Sequence, residues 1–143
     1  MTVDQIIKEI SLMKNQDVSI LKTFINTKSY VTVRERNKQY LIKKITAMTE
    51  FLINEKGVDL LKIARNTEYT FPRFAFIAIV KDRYLTDSKG WSILGRILEK
   101  DHASIWHGYN VHLQEIESNN EDYLSVYNKI ETFINEFELI DVA

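Results

Sequence analysis

The sequence predicts an all-α protein, a helical bundle built around a helix-turn-helix and preceded by an N-terminal helical extension. Three observations carry that expectation. One proline and four glycines punctuate 143 residues, which leaves few places for a helix to break. Apolar residues recur at three- and four-residue spacing in successive segments. A compact helix from Trp91 to Leu98 then runs through the two-residue turn Glu99-Lys100 into a helix that opens with small polar side chains. That is the pattern of a helix-turn-helix, whose second helix presents its first residues to base edges in a DNA major groove.

Thr2-Val3-Asp4-Gln5 fits a capping box, and Val3, Ile6, Ile7, Ile10 and Met13 follow at helical spacing. Asp17 is placed to cap a second short helix with the stripe Ile20, Leu21, Phe24 and Ile25. Ser29 to Val33 alternates and is β-branched, so it reads as an extended connection. Leu41, Ile45, Met48 and Leu52, flanked by Tyr40 and Phe51, predict a helix from about Arg34 to Asn54, stopped by Gly57. Val58 to Ala64 reads as one short helical turn.

Pro72 suits the first turn of the next helix, where its missing N–H costs no bond. Phe76, Ile77, Ile79, Val80 and Tyr84 form that helix's buried side. Asp87 and Ser88 are positioned to cap the Trp91 helix, whose core residues are Ile93, Leu94, Ile97 and Leu98. Gly95 lies inside it and costs about 1 kcal/mol relative to alanine, which close approach of a neighbouring helix would explain. Asp101 caps the candidate recognition helix, with Ile105, Tyr109, Leu113 and Ile116 inward. A last amphipathic helix turns Tyr123, Val126, Tyr127, Ile130, Phe133, Ile134 and Phe137 inward and its acidic residues outward.

Composition narrows the function classes. There is no cysteine, so disulfides, cysteine-ligated zinc and thiol catalysis are excluded. His102, His107 and His112 are five apart, a spacing that points them around a helix rather than at one ion, so no metal is expected. No nucleophile–base pair stands out, and no Gly-x-x-x-x-Gly-Lys-Ser/Thr run occurs, so neither an enzyme nor a nucleotide or other cofactor is expected. Met1 to Met13 mixes Asp4, Lys8 and Glu9 with its apolar residues, which fits neither a signal peptide nor a membrane span; a cytoplasmic location is the default.

The net charge of −1 conceals an asymmetry. Residues 1–115 carry an excess of five positive charges and residues 116–143 an excess of six negative ones. A basic body is what a DNA binder needs. The densest basic cluster is Lys28, Arg34, Arg36, Lys38, Lys43 and Lys44 against Glu35 alone, and a solvated helix face explains such a cluster equally well.

Lys100-Asp101-His102-Ala103-Ser104-Ile105-Trp106-His107 is preceded by Leu60-Leu61, Arg65 and Pro72-Arg73. In this arrangement the chain from Met48 to about Glu117 resembles the C-terminal DNA-binding domain of the bacterial replication initiator DnaA. That family opens its recognition helix with Arg-Asp-His-Thr-Thr-x-x-His and carries the Leu-Leu pair, basic segment and Pro-Arg at matching spacing. Between Pro72 and Asp101 this chain is two residues longer, with the surplus in the Thr86 to Gly90 loop. The resemblance covers about half the chain, residues 1–47 lying outside it. It implies a tryptophan-repressor-like helix-turn-helix domain over 48–143, with 1–47 as a helical extension packed on it.

The resemblance also implies roles. Asp101, His102, Ala103 and Ser104 would touch base edges and thymine methyls, and Arg65 would enter the minor groove. Arg73 and Lys100, with Lys81 and Lys89 as weaker candidates, would hold phosphates. Bland readings stand beside these: Asp101 as a helix cap alone, His107 as a half-buried structural histidine, Trp106 as core filling. The departures bear on specificity. Ala103 and Ser104 stand where the family has threonines, and Lys100 replaces an arginine without its bidentate fork. The sequence therefore predicts a non-enzymatic, sequence-preferring binder of double-stranded DNA, related to replication initiation or its control. The alternative is a protein-interaction module that keeps the helical fold, its partner meeting the N-terminal helices or the acidic tail.

Overall fold

A computed structural model describes the backbone of residues 3, 15–87 and 89–142, and the side chains of residues 3, 36–87 and 89–141. The described chain is all-helical, with no strand: α1 Asn15–Lys56, α2 Thr67–Arg83, α3 Gly90–Ile97, α4 His102–Glu117 and α5 Glu121–Val142. It divides into two compact units, Met1–Leu41 and Ile42–Ala143. The capping box at Thr2 and the stripe through Met13 lie outside the described residues, Val3 apart.

α1 corrects the expectation of a break. It runs as one helix through Ser29–Val33, and Asp17 lies within it rather than capping a separate helix. β-branched residues lower helix propensity by only a few tenths of a kcal/mol each. With neither proline nor glycine between Thr2 and Lys56, nothing local forces an interruption. Gly57, at φ 67°, ends the helix, and the Val58 N–H returns to the Leu52 carbonyl at 3.0 Å.

In the second unit, α2 is the central helix. Ala75 through Lys81 are all buried, the mark of a helix covered on every side. It packs against α5 and α4, and α3 packs against α4. Ile45, Met48 and Leu52 of α1, Leu94 and Leu98 around α3, and Tyr123, Ile130 and Ile134 of α5 complete the core. Ion pairs seam α5 to its neighbours: Lys44–Glu138 at 2.9 Å, Lys56–Glu136 at 2.5 Å and Arg83–Glu131 at 3.2 Å. Burial pushes the Glu138 carboxyl up, but hydrogen bonds from Tyr84 and Lys44 outweigh it and hold it below the usual carboxylate range.

Three further expectations are corrected. Residues 57–66 contain no helical turn; they form a loop plugged into the core by Leu60, which is fully buried. A turn this short has one helical bond to set against a costly nucleus. Pro72 sits in the second turn of α2, because the helix begins at Thr67 on the carbonyl of Asn66. Its ring therefore removes one bond, that to the Glu68 carbonyl. The inward side of α4 is Ile105, Gly108 and His112, while Leu113 and Ile116 are exposed.

Candidate nucleic-acid interface

The α3–α4 turn is held by three devices. Glu99 takes a left-handed conformation at φ 58°, and the Lys100 N–H bonds the Gly95 carbonyl at 2.8 Å, closing a Schellman-type end to α3. Gly95 is required by close approach: a Cβ there would stand 2.6 Å from the Lys100 carbonyl oxygen. The neighbour that excludes a side chain is thus the turn itself, and not another helix as expected from the sequence. Asp101, with extended backbone, caps α4 by accepting the Ser104 N–H at 2.7 Å. Hydrogen bonds from Ser104 hold its carboxyl below the usual aspartate range, so it is ionised at neutral pH.

This turn leaves Asp101, His102, Ala103 and Ser104 exposed. Asp101, Ala103 and Ser104 line a cleft of about 650 Å³ that Arg65, Arg73 and Lys100 line as well. Six of the nine residues singled out from the sequence therefore share one concavity. His102 is exposed outside the residues lining the cleft, and Lys89 is exposed at the start of α3, also off it.

Arg73 is partly committed. Its Nη1 donates to the Lys62 carbonyl at 3.0 Å, and burial lowers its pKa from the ordinary arginine value. One of five guanidinium donors is used in this way, and the bond ties the 57–66 loop to α2. Lys62 Nζ donates to the Tyr69 hydroxyl at 3.0 Å, a second tie between the same loop and helix.

Lys81 is not a phosphate contact. It is buried, its Nζ donates to the Leu85 carbonyl and, at 3.0 Å, to that of Asp87, and it lies over the Trp91 ring at 4.7 Å. A long stem on an apolar helix snorkels to whatever acceptors lie at its tip, and here these are the loop carbonyls after α2. The same loop makes an Asx turn before α3, the Asp87 Oδ1 accepting the Lys89 N–H at 3.0 Å. The cap position itself is Lys89, with no side-chain cap bond, so the expected cap at Asp87 is not formed; Ser88 lies outside the described residues.

The histidines exchange roles. His107 is exposed and lines the cleft, whereas His112 is buried, with Nδ1 2.5 Å from the Tyr123 hydroxyl and its ring stacked on Tyr127. Burial pushes the His112 pKa down, against an opposing pull from Asp82. Trp106 is 57% exposed and is not core filling, although Trp91, the second residue of α3, does pack edge-on against Tyr109.

Sequence reasoning passed over Lys62 and Ile63, which stand at the tip of the loop beside the cleft. Their only signal was position, between the Leu60-Leu61 pair and Arg65. Among the described residues no group of His, Asp or Glu is placed to hold a metal ion, and no described helix is long and apolar enough to cross a membrane. Comparison of the chain with protein-family models, with curated proteins and with solved structures finds no match.

Proposed function

We propose that this chain is a non-enzymatic, sequence-preferring binder of double-stranded DNA, acting in replication initiation or its control. The amino-terminal turn of α4 enters the major groove and Arg65 the adjacent minor groove. The observation that supports the reading is the shared cleft, lined both by Arg65 and by the exposed, capped start of α4. A carboxylate at that start disfavours a phosphate there, so the turn faces bases rather than backbone. Asp101 accepts from a cytosine amino group, the Ala103 methyl meets thymine, and the His102 ring and Ser104 hydroxyl supply polar contacts. Arg65 is drawn to the negative potential of a narrow groove. Lys100, the remaining donors of Arg73, and Lys89 serve the phosphates. The resemblance to the DnaA DNA-binding domain supplies the link to replication.

Selection from a random duplex pool tests this, run with the wild type, His102→Ala and Arg65→Ala. The wild type enriches one motif, and each variant relaxes it at different positions. A wild type that enriches nothing overturns the reading.

A second reading, a protein-interaction module, is favoured by Trp106 and Leu113, two exposed apolar side chains seven residues apart on α4. It would leave the selected pool random while Trp106→Ala abolished association with a protein. The acidic tail offers it less: Glu131, Glu136 and Glu138 are already paired with Arg83, Lys56 and Lys44.

A further inference from the structure

Ile63 is 90% exposed, more than any other large apolar side chain among the described residues. Its backbone is nonetheless fixed. The Ala64 N–H returns to the Lys62 carbonyl at 3.1 Å, closing a three-residue turn with Ile63 at the apex. Arg73 Nη1 bonds that same carbonyl at 3.0 Å and anchors the apex to α2. On the other side, Asp59 Oδ1 accepts the Leu61 N–H at 3.2 Å and Leu60 is sunk in the core. The loop thus holds an isoleucine outward on a restrained tip, and branching at Cβ leaves that side chain little rotamer freedom to lose.

Resting on the DNA-binding reading above, we infer that Ile63 is an apolar wedge that enters the minor groove beside Arg65 and bends the duplex there. The two side chains are separated by one residue on one loop, and arginine next to an inserted aliphatic side chain is how minor-groove binders combine attraction with unstacking. The surroundings favour nucleic acid over a protein: Lys62, Arg65 and Asn66 are all exposed and polar, and the apolar neighbours in the loop, Leu61 and Ala64, are half-buried. Pyrimidine–purine steps open at least cost. The wedge therefore adds a preference for such a step where Arg65 reads, at bases that α4 never meets.

The test uses the full chain and an end-labelled duplex bearing the selected motif, with affinity read by anisotropy and bending by energy transfer between the ends. Ile63→Ser weakens binding about tenfold, the equivalent of leaving one aliphatic side chain unburied. It also loses the bend, while the salt slope stays unchanged because no phosphate contact is removed. Ile63→Leu restores both, and unchanged melting of both variants excludes misfolding. Ile63→Ser that binds and bends like the wild type overturns the wedge and leaves the DNA-binding reading standing, as does lost affinity with the bend intact. Unaltered DNA binding with lost capture of a protein makes Ile63 a protein contact instead. A wild type that selects no motif fails the DNA-binding reading itself, and the wedge with it.

Discussion

Gly95→Ala separates the local rule from the tertiary one. Inside a helix the added methyl should stabilise by about 1 kcal/mol, because glycine carries the larger entropy of the unfolded chain. At this position the new Cβ would sit 2.6 Å from the Lys100 carbonyl oxygen, with the Asp101 carbonyl carbon and His102 nitrogen at 3.5 Å. All three are backbone, so no side chain can swing aside. Forcing a methyl into such a space costs about 1–3 kcal/mol. The Lys100 N–H bond to the Gly95 carbonyl is strained as well, and a bond of that kind contributes roughly 0.5–1.5 kcal/mol. The balance is a net loss of about 0.5–3.5 kcal/mol, and a domain of this size melts about 4–8 °C lower for each kcal/mol. Urea and thermal denaturation of the full chain measure it, with Ser92→Ala, exposed on the same helix, as a control expected within about 0.5 kcal/mol of wild type. A Gly95→Ala protein that melts at or above the wild-type temperature would refute the close-approach argument. In the DNA-binding reading, the displaced turn also re-aims His102 and Ser104 and weakens selection of the motif.

Three other outcomes are expected. Lys81→Met strips the Leu85 and Asp87 carbonyls of their shared donor and destabilises by about 1–3 kcal/mol; its DNA salt slope matches wild type, whereas a phosphate contact would lower the slope by about one. Asp101→Ser keeps a side-chain cap for the Ser104 N–H and holds the melting temperature, whereas Asp101→Ala lowers it, and equal melting of the two would refute the capping role; in the DNA-binding reading both also lose discrimination at one base pair. The depressed pKa of buried His112 means the unfolded chain takes up that proton first, near pH 6.5. Stability is therefore complete above that pH and is lost as pH falls towards the folded value. Urea titrations from about pH 7 to about pH 5 should show a smaller loss in His112→Gln than in wild type.

What was legible in the sequence is what short-range chemistry determines. The α3–α4 turn could be read because Asp101 is a strong cap, and Gly95 could be flagged because a glycine inside a helix needs a reason. The core of α2 was legible from its unbroken apolar run. The inward face of α4 was not, because two of its three buried positions are a glycine and a histidine. Gly108 is inward because a Cβ there would meet Phe74 at 2.8 Å and Ile77 at 3.2 Å, and His112 because Tyr123 supplies a partner. Neither reason is visible along α4 itself, and Leu113 and Ile116, apolar at the right spacing, won the pattern but not the packing. Lys81 misled for a related reason: its charge suggested the surface, whereas its acceptors lie on a loop that folds back over it.

The two elements that would read DNA are both positioned by adjacent residues of one helix. Arg73 bonds the Lys62 carbonyl and so fixes the loop that carries Ile63 and Arg65. Phe74, the next residue, with Ile77 one turn on, meets α4 at Gly108 so closely that no side chain fits between them. α2 is buried along Ala75–Lys81 and cannot shift without repacking the core. The separation between the loop tip and the α4 start is then a property of the core rather than of either surface. A minor-groove contact and a major-groove contact made across that separation are not independent. Losing either one leaves the other held at a position that suits only a duplex of the right groove geometry. Double substitution of Arg65 and His102 should accordingly cost less than the sum of the single effects, whereas strict additivity would mean that the two elements engage DNA separately.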